Sequence, residues 1–185
     1  MPGTGVEEFV IRIVVLLLAL AIPASAAGVP TGVPLWEGSR TGMELARVLA
    51  LFPKAHQVEP TQKDPTQIEQ RGKQRARIPR LEIAGAPYQA QFFFKDGLYR
   101  VVLNRIDAEG VPFSKGLKLT REVEGALAQK YGEPTSKQTS GDGYLASWRD
   151  GPTGIDLVVI TKSYQVKAFK IVYKPVEEAG KAPEE

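Results

Sequence analysis

The chain has 185 residues, of which 43% are hydrophobic and 24% charged, with 18 Gly, 14 Pro, one His, no Cys and a formal net charge of +3. That apolar fraction is enough for a packed core and argues against a wholly disordered chain. Without cysteine there is no disulfide framework, no thiol nucleophile, no zinc-thiolate or iron–sulfur site, and no lipid carried on a lipobox cysteine.

Ile11 to Ile22 form an apolar run broken only by Arg12, and Ala24-Ser25-Ala26 follows with the small residues of an A-x-A site. This anatomy predicts a secretory signal peptide over residues 1–26, cut after Ala26. An uncleaved anchor is the alternative, but crossing the hydrocarbon core takes about 20 apolar residues and the run is shorter. Glu7 and Glu8 stand where such signals are normally positive, which points to translation beginning nearer Val6 or Val10. Cleavage removes one Arg and two Glu, leaving 159 residues at a net charge of +4. A cysteine-free domain of that size must rest on its hydrophobic core, so the expected location is a bacterial periplasm or the medium, with no transmembrane span in the mature form.

The first helix is expected over Thr41–Phe52, where Leu45, Val48, Leu49 and Phe52 fall at i, i+3, i+4 and i+7 on one stripe. Thr41 and Glu44 have capping-box spacing, and Pro53 stops the helix. Lys54–Arg77 has no periodicity and reads as a long loop. Strands are expected at Leu81–Ile83, Tyr88–Phe94 and Leu98–Arg105, the last two joined by a two-residue Asp96-Gly97 turn that pairs Phe94 with Tyr99, Phe92 with Val101 and Ala90 with Leu103. A second helix over Thr120–Tyr131 has Val123, Ala126, Leu127 and Tyr131 on its stripe and ends at Gly132 and Pro134. Strands follow at Tyr144–Arg149, Ile155–Ile160 and Val166–Tyr173.

The pattern helix-strand-strand-strand thus occurs twice, over about 36–106 and 116–174, within one domain spanning 27–174. Hairpin-linked strands make antiparallel sheets, so the expected fold is α+β: a mostly antiparallel sheet of about six strands with two helices packed on one face. Residues 175–185 carry four Glu and one Lys and read as a solvated, disordered acidic tail. Setting the tail aside leaves the expected domain at +7.

The densest basic run is Arg71, Lys73, Arg75, Arg77 and Arg80, five cations within ten residues. It suits contact with phosphate-bearing lipid, an anionic envelope polymer of the cell wall or an acidic partner protein. The plainer reading, which the balance from Glu69 and Glu82 and the defence of an edge strand by charge favour, is a solvated loop leading into a strand. Arg100, on the sheet face opposite the expected helices, is a further candidate. No nucleic-acid motif is present, and the expected compartment argues against that partner. His56 has no second His or Cys to share a metal, and Glu59 and Asp64 fit no ligand spacing. There is no G-x-S-x-G elbow, and Ser39 reads as a turn residue. Asp142-Gly143 and Asp150-Gly151 lack the rest of a calcium loop and read as turns. Trp148 is expected in the core, with Trp36 closing one end of it. No motif calls for a cofactor.

Trp36–Pro53 and Gly116–Pro134 share an order of Gly, Thr, an acidic residue, an apolar helix and an ending such as Tyr131-Gly132-Glu133-Pro134. The pattern resembles small exported bacterial proteins of the SmpA/BamE outer-membrane assembly lipoprotein kind, and its doubling is similar to the tandem helix-plus-sheet fold of β-lactamase inhibitor protein. The resemblance covers about 40 residues and implies a periplasmic binding or scaffolding role without catalysis. The chain departs from the lipoprotein pattern in lacking the lipobox cysteine. The functional expectation is a non-enzymatic exported binding module. Its alternative is an envelope hydrolase acting through carboxylates that no motif singles out.

Overall fold

A computed structural model of the chain describes residues 31–60, 72–141 and 143–176. The expected signal peptide, Arg71, Asp142 and the acidic tail beyond Val176 lie outside the described residues. In chain order the elements are α1 (Leu45–Leu51), β1 (His56–Gln57), β2 (Lys73–Ile83), β3 (Ala86–Phe94), β4 (Leu98–Arg105), a 3-10 turn (Ile106–Ala108), α2 (Phe113–Tyr131), β5 (Ser136–Ser140), β6 (Gly143–Asp150), β7 (Thr153–Lys162) and β8 (Gln165–Pro175). The strands form one antiparallel sheet in the order β1-β2-β3-β4-β8-β7-β6-β5.

This overturns the expected α+β fold of six strands with two helices on one face. The sheet has eight strands and the class is largely β. The two additional strands carry no apolar alternation. β5 is Ser-Lys-Gln-Thr-Ser, exposed at every position, and β1 is the exposed pair His56-Gln57. Strands at the two edges of a sheet bury little, so side-chain period cannot reveal them; backbone pairing to β6 and β2 is what holds them.

Elsewhere a two-residue period, interrupted by register irregularities in the β2–β3, β3–β4 and β7–β8 pairs, builds the core. One inward row crosses six strands as Ala76, Phe92, Val101, Tyr173, Ile155 and Trp148, and the next as Ile78, Ala90, Leu103, Ile171, Leu157 and Ala146. All twelve are buried in a single hydrophobic cluster, together with Val48 from α1 and Leu119 and Leu127 from α2. Between those rows runs an outward one: Arg77, Gln91, Val102, Val172, Asp156 and Ser147. A one-residue slip of any strand would exchange these sets, so burial fixes the register.

Three local expectations are revised. The β3–β4 hairpin pairs Phe92 with Val101 and Ala90 with Leu103 as anticipated, but Phe94 pairs with Leu98, and an irregularity follows Phe93. The loop is Lys95-Asp96-Gly97 because Leu98 pairs outward: its N–H donates to the Met43 carbonyl and its carbonyl accepts from the Gly42 N–H, both at 2.8 Å. A Cβ on Gly97 would stand 2.6 Å from the Gly42 backbone, so the close approach requires glycine. That docking also shortens α1, which starts at Leu45 with Glu44 as a cap that makes no side-chain hydrogen bond. Thr41 Oγ1 instead accepts from the Val33 N–H at 2.8 Å. Finally, α2 begins at Phe113, seven residues earlier than its stripe suggested. Gly116 lies buried in the added turns against Val166, where a side chain would collide. Among the described residues no helix is long and apolar enough to cross a membrane.

Candidate functional site

β2 holds the basic run in strand geometry because Ala76 and Ile78 alternate with its cations and are drawn into the core, at 0% and 5% exposure. Lys73, Arg75, Arg77 and Arg80 are thereby held exposed. Register irregularities between Gln74 and Ala76 and between Ile78 and Leu81 re-aim the chain twice. The second contains Pro79 and Arg80, beyond the stretch that β1 covers, where a missing N–H and a charge discourage further strand addition.

The cations do not form one cluster. Lys73 and Arg75 lie at the β3–β4 hairpin end of the sheet and line an open cleft of about 610 Å³ together with Glu59, Phe94, Lys95 and Asp96. The Lys95 ammonium sits 4.0 Å from the centroid of the Tyr99 ring, which steadies a third cation of the cleft lining. Arg77 is on the outward face, where its Nε donates to His56 Nε2 at 3.0 Å. That bond occupies the imidazole lone pair that a metal would need. Arg100 is half-buried on the same face, opposite Phe93 across the β3–β4 pair, with its guanidinium 4.9 Å from the ring centroid. Arg80 is seven positions along β2 from Lys73, about 20 Å at strand rise, and belongs to the far end. Arg71 falls outside the described residues.

Lys95, Asp96 and Glu59 are charged cleft residues that the sequence does not single out for this contact, Asp96 reading there as a turn residue and Glu59 only as a metal-ligand candidate. No sequence signal points to them: regular alternation from Ala76 would set Gln74 opposite Phe94, and it is the register irregularity between Gln74 and Ala76 that brings Lys73 there, directly before Lys95. The outward face beyond the cleft is mixed. Val102, Val172, Val158 and Leu145 form a shallow apolar strip crossed by hydrogen-bonding groups. Asp156 there is bridged to Lys174 at 2.7 Å and accepts from Ser147 Oγ at 2.8 Å, while Gln91 Nε2 donates to Gln89 Oε1 at 2.9 Å.

The acids with perturbed protonation are held in the ionised form. A hydrogen bond from Arg105 at 2.8 Å keeps the Asp107 carboxyl below the usual range. Burial pushes the Glu124 carboxyl up, but Lys137 and the Tyr144 O–H outweigh that and leave it lowered. A general acid needs the opposite bias. Ser39 is fully buried with its hydroxyl donating to the Trp36 carbonyl at 2.6 Å. No protein-family model matches the chain, and neither a curated protein nor a solved structure is detectably similar to it.

Proposed function

We propose that the chain is a non-enzymatic, exported binding module that contacts a partner protein or an envelope component through the end of its sheet where Lys73, Arg75 and Lys95 surround an open cleft. The location rests on the sequence of residues 1–26. The observation that carries the contact is geometric: two cations from β2 and one from the β3–β4 hairpin line one concavity, together with Phe94 and the two acids Glu59 and Asp96. The matching ligand is an extended segment rich in carboxylates or phosphates. The neighbouring outward face, with Arg77, Arg100 on Phe93, and Gln91, extends the surface with charge, stacking and amide groups suited to orienting such a segment.

The test is capture of envelope components by the full chain, followed by titration of the captured partner against salt. Charge reversal at the cleft (Lys73→Glu with Arg75→Glu) is expected to weaken binding about ten-fold or more and to flatten its salt dependence, with the fold unchanged because both side chains are exposed. Unchanged affinity in that variant, or a partner that binds equally well at high salt, would refute the reading.

A further inference from the structure

The opposite end of the sheet carries side chains that neither the core nor the cleft uses. Among the described residues, five large hydrophobic side chains are exposed: Leu51, Ile106, Phe113, Ile160 and Tyr164. Four of these five belong to the β7–β8 hairpin or to the crossover from β4 into α2. The two segments are joined by backbone hydrogen bonds, since the Phe113 N–H donates to the Tyr164 carbonyl at 2.9 Å and the Val166 N–H to the Val111 carbonyl at 3.0 Å.

Tyr164 is the most informative. It is 88% exposed, so it contributes almost nothing to packing. It also occupies a left-handed backbone conformation, φ +60°, next to Ser163 at φ +53°, in the two-residue turn closed by the Lys162–Gln165 pair. Such turns favour Asn and Gly, and a bulky L-residue is strained there. The turn disfavours Tyr164 and the core does not need it; a strained, exposed aromatic of this kind points to an external use. Around it stand four exposed lysines: Lys162 and Lys167 on the hairpin, Lys115 and Lys118 on the first turns of α2. The local acids are fewer. Asp107 is paired to Arg105 and also faces Lys115, and Glu122 on α2 is drawn to the same Arg105, which leaves Glu109.

The geometry points to a second binding surface at this tip, for an anionic lipid bilayer. A protein partner is the weaker match, because tight protein interfaces seat their aromatic anchors in complementary pockets and bury roughly 800 Å² on each side. A bilayer asks for less shape. An aromatic ring and short apolar side chains enter the headgroup layer, while lysines extend their ammonium groups to lipid phosphates and their stems along the apolar boundary. The surface is separate from the cleft and does not depend on the function proposed for it.

Sedimentation of the full chain with vesicles tests this, comparing phosphatidylglycerol mixed into phosphatidylcholine against phosphatidylcholine alone. The apolar run at Ile11–Ile22 would favour both vesicles alike, so the readout is the increment that the anionic lipid adds. Expected results are a clear increment at low salt, a loss of about five-fold per lysine for Lys162→Gln and Lys167→Gln, and a further loss for Tyr164→Ser with Phe113→Ser. Thermal unfolding of each variant checks that the fold survives. The proposal is overturned if no increment exists, if these substitutions leave it unchanged, or if Lys73→Glu with Arg75→Glu removes it instead. It is equally overturned if the tip variants bind vesicles normally but lose capture of an acidic protein.

Discussion

The sheet is two four-strand halves joined where β4 meets β8, and the halves close their cores differently. In the first, α1 is seven residues long and supplies one fully buried side chain, Val48. Aromatic rings make up the deficit: Trp36 stacks on Phe52 at 5.4 Å, and Phe52 tilts onto Phe92 at 5.0 Å. In the second, the 19-residue α2 supplies Leu119 and Leu127 and is tied to β6 by Trp148 Nε1 donating to the Gly132 carbonyl and by the Tyr144 O–H donating to Glu124. A long helix covers its half continuously. A short helix capped by a few rings leaves the end of its half open, and the cationic cleft lies beside β2 in that half.

The largest expected effect follows from concentrating a core in few side chains. Phe92 is fully buried and sits under both Trp36 and Phe52, so Phe92→Ala should cost about 4 kcal/mol. Leu127, one of several contacts along α2, should cost about 2 kcal/mol as Leu127→Ala. Urea unfolding of both variants measures the contrast, and equal losses would break it. The next effect is smaller because two terms oppose. Gly116→Ala gains about 1 kcal/mol of helix propensity but drives a methyl into Val166, an overpacking cost of about 1–3 kcal/mol, so a net loss of about 1 kcal/mol is expected. Adding Val166→Ala should make the Gly116→Ala change favourable; if it does not, α2 is not held by this contact.

The same contrast explains how much the sequence disclosed. Strands with two apolar positions in every four residues were readable, and β8 places Phe169, Ile171 and Tyr173 inward as its alternation requires. The first turns of α2 were hidden because close packing on β8 demanded glycine where a stripe would show leucine. The end of β2 was readable at Leu81–Ile83, but its first part was hidden because Lys73, Arg75 and Arg77 are exposed and only Ala76 is buried among them, so Lys73–Arg77 read as a loop. The same masking hid the cleft: its cations were visible as a run along the chain, but the convergence of Lys95 with Lys73 and Arg75 depends on pairing between strands. Arg77 and Arg80 belong to that run in sequence and to other places in the structure.

The smallest effect tests the tie between α2 and the far edge of the sheet. Glu124 bridges Lys137 on β5 and Tyr144 on β6, and its carboxyl is held below the ordinary carboxylate range. The unfolded chain therefore takes up this proton first as the pH falls. The contribution of Glu124 is complete above the ordinary carboxylate range and disappears as the pH drops through the lowered native value. Glu124→Gln should be less stable than the parent at neutral pH by less than the Gly116→Ala loss, since Lys137 is solvent-exposed and such pairs contribute little. The gap between variant and parent should close toward low pH in urea titrations. Asp107→Asn should follow the same course, because Arg105 lowers that carboxyl too. A gap that widens on acidification would mean that burial, not the cation and the phenol, dominates at Glu124, and the edge strand would then be held by its backbone ladder alone.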